Sequence, residues 1–265
     1  MSQTTFRVTD PVESSSLQEI HLRRIPRAER GAWNELVGQH HYLGNGTMVG
    51  EQLGCVAEHR GKWVALLGWS AAACHLKGRD SWIGWNDNQR KGRLHLVAHN
   101  ARFCLLTQAG EHPNLASYVM GLNLARLSAD WQQAYGHPIL VGESFVDLQL
   151  FRGTSYKATG WKALGSTAGF KRVAEDFYQV HDRPKQLFVR ELAKHAARSL
   201  RARQLPAPLA DQERKIQPRC LLTTQEAGGL RKHPFTVKYV CRATSPSRRR
   251  NSFFFTCFAT NREFH

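Results

Sequence analysis

The sequence predicts an α/β fold of the α+β kind: a mixed, mostly antiparallel central sheet flanked by helices. Three observations lead there. Strand-like runs cluster between Leu53 and Leu106. The clearest helical pattern of the chain, NLASYVMGLNLARLSADWQQAYG, follows directly. Beyond it, the apolar stretches PILVGESFVD and QLFVREL alternate with a short helical one. Strands that first cluster and then interleave with helices imply a mixed sheet.

Residues 1–17 are polar, Ser-rich and aperiodic, and are expected to be disordered. IHLRRI (Ile20–Ile25) alternates as a half-buried strand does. Pro26 opens the helical stretch RAERGAWNELVGQH, with Trp33, Leu36 and Val37 at helical spacing, and a loop runs from His41 to Gly50. QLGCVAEHRGKWVALLGWSAAA reads as a hairpin, with strands Leu53–Glu58 and Trp63–Ser70 about an Arg60-Gly61 turn. After a short helical or irregular piece, Leu94–Ala98 is a third strand and Ala101–Leu106 a candidate for another. The long helix offers Leu115, Tyr118, Val119, Leu122, Leu124 and Leu127 as a broad apolar face. PILVGESFVD is a buried strand, FRGTSYKATGWKALGSTAG a short helix and Gly-rich turn, and QLFVREL the closing strand. The domain so defined spans residues 18–192. Residues 193–233 read as the end of a short helix (Leu192–Arg203) and a linker, and 234–265 as a basic, disordered tail.

With 265 residues and 42% hydrophobic content, the chain suffices for one sizeable core plus an appendage. It has no run of about 18 apolar residues that would span a membrane, and no apolar signal-peptide core at its start. A cytoplasmic location is expected. The six cysteines are far apart and form no CxxC, which argues against a clustered zinc site or a disulfide framework. The net charge of +16 is unevenly placed: residues 1–180 hold 19 Lys/Arg and 15 Asp/Glu (+4), and residues 181–265 hold 18 and 6 (+12). Such a tail binds polyanions without sequence preference.

Several groups have residue types suited to chemistry. His40 and His41 offer an imidazole with an ordinary pKa of about 6.5, suited to a general base; they equally suit a helix C-terminus, with Gly44 and Gly46 forming the turn. Arg79, Trp82 and Trp85 in RDSWIGW join a cation to two aromatics, which stack on a base or pack as a Trp-rich strand edge. Asn100 and Arg102 in HNARF suit a phosphate or a base edge, or simply an exposed strand end. Glu143 and Asp147 of ESFVD share a strand face about 13 Å apart, too far for one metal unless the strand bends. The glycines of GTSYKATGWKALGSTAG match neither GxGxxG nor GxxxxGK[ST], and no GxSxG or HExxH occurs.

LVGQHHYLG, RDSWIGW, NARF, NLASYVMG, ESFVD, FRGTSYKATGWKALGSTAG and RPKQLFVREL occur in that order. From about Ile20 to Leu192 they closely resemble the bacterial family typified by the first component of the Druantia anti-phage system. The same domain resembles the N-terminal part of certain transposase-associated proteins. The element order is also similar to that of GNAT-type N-acetyltransferases. That resemblance implies an Arg/Gln-x-x-Gly-x-Gly/Ala turn before the long helix for the cofactor's pyrophosphate. Here the place reads LLTQAGEHPNLASYV, with the single Gly110 and the acidic Glu111. The fold is therefore expected without a cofactor. LPAPLADQERKIQPRCLLTTQEAGGLRKH resembles the linker that leads to a DDE-type transposase catalytic domain in longer relatives. The likeness ends at about His233, and a truncated or frame-shifted product is expected.

The resemblance implies a nucleic-acid-associated domain of a mobile-element or anti-phage defence protein. Its expected partners are DNA and other defence or transposition proteins, with no membrane and no metal. In this reading His40, Arg79, Trp85, Asn100, Arg102 and Glu143 line one cleft, with Tyr156 among the ligand-binding residues. Arg79 and Arg102 meet phosphates, Trp82 or Trp85 stacks, and His40 or His41 forms a proton-transfer pair with Glu143. One alternative is a GNAT-type acyltransferase using acetyl-CoA, with Glu143 or His40 as base. The other is a metal-dependent nuclease drawing on Glu143, Asp147 and Asp80.

Overall fold

A computed structural model describes residues 17–108, 111–167 and 183–215, and the backbone of 170–174, 177–180, 239–240 and 256–257. The expectations for residues 1–16, for the end of the linker and for the tail lie outside the described residues, apart from a pair of two-residue strands, Tyr239–Val240 and Thr256–Cys257.

The chain starts with β1 (Ile20–Arg24), a 3₁₀ turn (Arg27–Glu29) and α1 (Arg30–His40). The hairpin follows as β2 (Leu53–His59) and β3 (Lys62–Ala71). Its turn is where the sequence puts it: Arg60 (φ 49°) and Gly61 (φ 75°) both adopt the left-handed conformation that matches strand twist in a two-residue hairpin. Two short helices, α2 (Lys77–Ile83) and α3 (Asp87–Arg93), lead to β4 (Val97–Leu105). The long helix α4 (Leu115–Tyr135) ends at Gly136 (φ 80°) and is followed by β5 (Val141–Val146). Then come α5 (Thr154–Ala158), β6 (Lys162–Ser166), the hairpin β7 (Phe170–Ala174) and β8 (Phe177–Val180), β9 (Gln186–Glu191) and α6 (Ala196–Arg201).

Seven strands form one sheet in the order β1-β2-β3-β4-β5-β9-β6, antiparallel throughout except for the parallel pair β4–β5. This is the mixed, mostly antiparallel sheet predicted, in the element order of the acetyltransferase-like resemblance. Both faces are covered. Alternation in β2 and β3 sends Leu53, Cys55, Ala57, Ala65, Leu67 and Trp69 toward α4, whose Leu115, Val119, Met120, Leu124, Leu127 and Trp131 complete that core. Val56 and Leu66 point the other way, against Trp33 and Val37 of α1. A third cluster joins Ile83 and Trp85 to Leu96, Val97, Leu140 and Val141. It also takes in Ala196, Ala197, Leu200 and Leu205, so the chain after Leu192 packs onto the sheet. Among the described residues no helix is long and apolar enough to cross a membrane.

The expected strands Leu94–Ala98 and Ala101–Leu106 are corrected to the single strand β4, preceded by a 3₁₀ turn at Leu94–Leu96. The apparent break is a bulge. Gly68 faces Arg102 and Trp69 faces Asn100, so Ala101 is left without a partner on β3. RDSWIGW is helical rather than a strand edge, and stops at Gly84 (φ 76°). Helix α3 was not anticipated because it is polar all round. It begins with a reciprocal cap between Asn86 and Gln89; Arg93 donates to carbonyl groups of the last turn and exit of α6, and Arg90 to the Cys74 carbonyl. Part of the presumed Gly-rich turn forms β6.

Candidate functional site

The central feature is a gap in the sheet. β4 and β5 pair only at Val97–Val141, Ala98–Gly142 and His99–Glu143. The bulge at Ala101 turns β4 aside just past the last pair, so the strands separate. A cleft of about 520 Å³ opens there, lined by the far halves of both strands, the His41–Leu43 loop, the Leu150–Thr154 loop, α5 and Lys185.

The cleft floor holds Asn100, Ser144 and Tyr156. The Tyr156 hydroxyl donates to Asn100 Oδ1 (2.7 Å), and Ser144 Oγ lies 3.1 Å from both the Tyr156 hydroxyl and the Asn100 carbonyl. Burial pushes the Tyr156 phenol up to about 12, so it stays protonated at neutral pH. Arg102 is only 8% exposed and lines the cleft. Its guanidinium donates to the carbonyls of Ala101 and Gly46 (both 2.8 Å), and its Nε has no hydrogen-bond partner. Among the described residues Arg102 forms no ion pair, and burial lowers its pKa. Lys185 and Arg152 add positive charge to the lining. His41 accepts from the Leu43 N–H at Nδ1 (3.2 Å). Burial, together with the charges of Arg102 and Lys185, pushes its pKa down to about 4. The imidazole is therefore neutral at pH 7.

One acid, Asp147, lines the cleft, and it is occupied with the backbone. Its Oδ1 accepts from the Gln149 N–H (3.0 Å), and its carbonyl accepts from Leu150 (3.1 Å) and Phe151 (2.8 Å). That turn sets Leu150 and Phe151 at the rim, half-exposed, opposite Tyr42 and Leu43.

A second polar cluster lies behind this lining and touches it through His99, whose Nδ1 is 3.9 Å from Glu143 Oε1. Arg79 and Glu143 are both fully buried and ion-paired at 2.8 Å. Arg79 also meets Asp80 (2.8 Å) and donates to the Ala73 carbonyl (2.8 Å). Glu143 accepts from the Ala73 N–H (2.9 Å). Trp85 donates its indole N–H to Asp80 (2.9 Å) and lies beside the Arg79 guanidinium at 5.6 Å. Burial opposes ionisation of Glu143. The Arg79 charge, His99 and the Ala73 N–H outweigh it and hold the carboxyl below its ordinary range. The cluster ties the segment after β3 to β5, with Arg79 and Glu143 fully buried and Asp80 partly exposed.

The predicted residues thus divide. Asn100, Arg102, Tyr156 and His41 gather in the cleft. Glu143, Arg79 and Trp85 lie outside the lining and bond to one another, to Asp80 and to Ala73, while Glu143 also meets His99, which does line the cleft (Nδ1 to Oε1, 3.9 Å). Trp82 is half-buried against the Ile83 cluster. His40 is exposed at the end of α1, outside the cleft lining. Of the two bases named for acyl transfer, Glu143 is buried in an ion pair with Arg79 and beside His99, and His40 is exposed outside the cleft lining. For a nuclease centre, Asp80 and Glu143 share one arginine. Among the described residues no three His, Cys, Asp or Glu side chains are placed to hold a metal. Sequence reasoning passed over Tyr42, Phe151, Arg152 and Lys185. Leu148, Leu150 and Phe151 just after a buried strand were an available signal; Lys185 had none.

Solved structures similar to the chain are acetyltransferases. The spermidine/spermine N-acetyltransferase SpeG of Vibrio cholerae aligns at 10% identity over 69% of this chain and 99% of its own, with a TM-score of 0.41. The aminoglycoside acetyltransferase AAC(6')-Ib in complex with coenzyme A aligns at 13% identity over 69% and 99%, with a TM-score of 0.44. The ribosomal-protein-S18-alanine N-acetyltransferase of Escherichia coli gives 6% over 66% and 95%, with a TM-score of 0.42. No curated protein matches the chain in sequence. The profile of the family described as Druantia protein DruA matches residues 2–191, which include every residue of the cleft. By that match the chain belongs to the family of Druantia protein DruA.

Proposed function

We propose that this chain is a nucleic-acid-binding component of anti-phage defence, and that it holds the nucleic acid in the cleft between β4 and β5. The observation that carries the reading is Arg102. A guanidinium 8% exposed, facing the cleft with no carboxylate paired to it among the described residues, carries a desolvation cost that those residues do not offset with an opposite charge. An anionic ligand supplies the missing charge, and a phosphate matches the donor fork. Lys185 and Arg152 extend the positive lining. Membership of the Druantia family supplies the defence context.

The test is a DNA titration of the full chain at two salt concentrations, with wild type and Arg102→Ala. Loss of one recessed phosphate contact is expected to weaken binding about tenfold and to lower the salt slope by about one. Identical curves for the two proteins would place the binding elsewhere, on the basic residues after Lys215.

A further inference from the structure

We infer that the mouth of this cleft is a base-stacking clamp, so that its ligand is a single-stranded stretch or an extruded nucleotide rather than intact duplex. The inference rests on the nucleic-acid reading of the cleft and adds the form of its ligand.

Two aromatic rings meet at the opening. Tyr42 comes from the loop after α1, and Phe151 from the loop after β5. Their rings touch edge to face at 5.4 Å, so a base stacks on their exposed faces at the rim rather than between them. Both are large and apolar, yet Tyr42 is 39% and Phe151 50% exposed. Apolar surface left in water at the rim of a polar cleft marks a place where something docks. Phe151 is not loosely hung, because the Asp147 turn fixes its backbone. Tyr42 is flanked by Lys185, whose Nζ lies 5.3 Å from the ring centroid.

The pattern is aromatic faces above and recessed positive charge below. Single strands are held this way: bases stack on rings while the backbone tracks a basic groove. In a duplex each base face is covered by its neighbours, and what is presented is a broad, convex phosphate backbone with base edges recessed in the grooves. Such a surface cannot reach Arg102, which lies behind the rim. A cleft of about 520 Å³ is of the size that takes one small-molecule-sized unit. One nucleotide out of its stack is such a unit.

The experiment uses the full chain and fluorescence anisotropy with three probes of equal length: an oligothymidylate, an abasic strand with the same phosphates, and a duplex. The basic residues near the C-terminus meet the two single strands with equal charge, so the affinity ratio between those strands isolates the bases. The oligothymidylate is expected to bind about tenfold more tightly than the abasic strand, and more tightly than the duplex. Phe151→Ala should erase that preference and Phe151→Trp should keep it. Both replace a half-exposed side chain, so folding is not at stake. Equal affinity for all three probes, or a preference untouched by Phe151→Ala, would overturn the clamp. If Arg102→Ala weakens all three probes while Phe151→Ala changes none, the cleft stands without the clamp. If Arg102→Ala changes nothing, the nucleic-acid reading falls with it.

Discussion

Arg79 and Arg102 are both buried, and their chemistry is opposite. Arg79 has Glu143 and Asp80 against it, and the three form a strut inside the fold. Among the described residues Arg102 bonds carbonyl oxygens alone. Removing one partner of a buried pair leaves an uncompensated charge, so Glu143→Gln should cost about 3–5 kcal/mol. A lowered urea midpoint at unchanged slope would register it. Arg102→Met should behave differently. It removes a charge that no ion pair among the described residues neutralises, so the melting temperature should stay level or rise while DNA affinity falls. A melting temperature several degrees lower would mean that Arg102 is structural after all. In the sequence these two arginines look alike. The partner of Arg79 lies 64 residues away, and no local pattern reveals it. Asn100 and Arg102 were legible from the polar residues of HNARF and His41 from its place at a helix end, but the same reading set His40, Arg79, Trp85 and Glu143 beside them, and nothing local separated the two sets.

The elements around the cleft are specified unevenly. The β2–β3 hairpin and α4 are plain in the sequence, since their alternation and helical spacing come from burial against the sheet and its covering helix. β4 was split in two because its bulge interrupts the period at Ala101. α3 went unseen because its buried side chains are arginines bonded to carbonyl groups, which leave no apolar stripe. The loop that carries Phe151 depends on Gly153, which holds φ 66° ahead of α5. A Cβ there would lie 2.9 Å from the Phe188 ring, inside the main core. Gly153→Ala is therefore expected to cost about 1–3 kcal/mol through left-handed strain, with more from the clash. Urea unfolding checks this. An unchanged midpoint would mean that the loop and Phe188 shift freely, and that the rim is less fixed than its hydrogen bonds suggest.

At the scale of the whole molecule, buried histidines link stability to pH. His41 is pushed down to about 4 by burial, Arg102 and Lys185. His95 is pushed down to about 3 by burial, Arg214 and His137. Both bind a proton more weakly in the folded chain than in the unfolded one, where the value is 6.5. The unfolded state therefore takes up protons first as pH falls, and stability should drop steadily between about pH 6.5 and 4. Below the ordinary carboxylate value of 4.5, protonation of Glu143 and Glu51, both held below it in the fold, should add to the loss. His95→Gln should flatten the upper part of that curve. A parallel curve would mean that this imidazole is already hydrated in the native state.

The same scale decides where a polyanion binds, because the chain offers both a cleft and strongly basic residues after it. Photo-crosslinking settles the choice most directly. A single strand bearing one photoreactive base is bound to the full chain, irradiated and digested, and the attached residues are mapped by mass spectrometry. Attachment at Tyr42 or Phe151, suppressed by unlabelled strand and lost with Arg102→Ala, is the result expected of a nucleic-acid cleft between β4 and β5. Attachment confined to residues after Lys215 would contradict it.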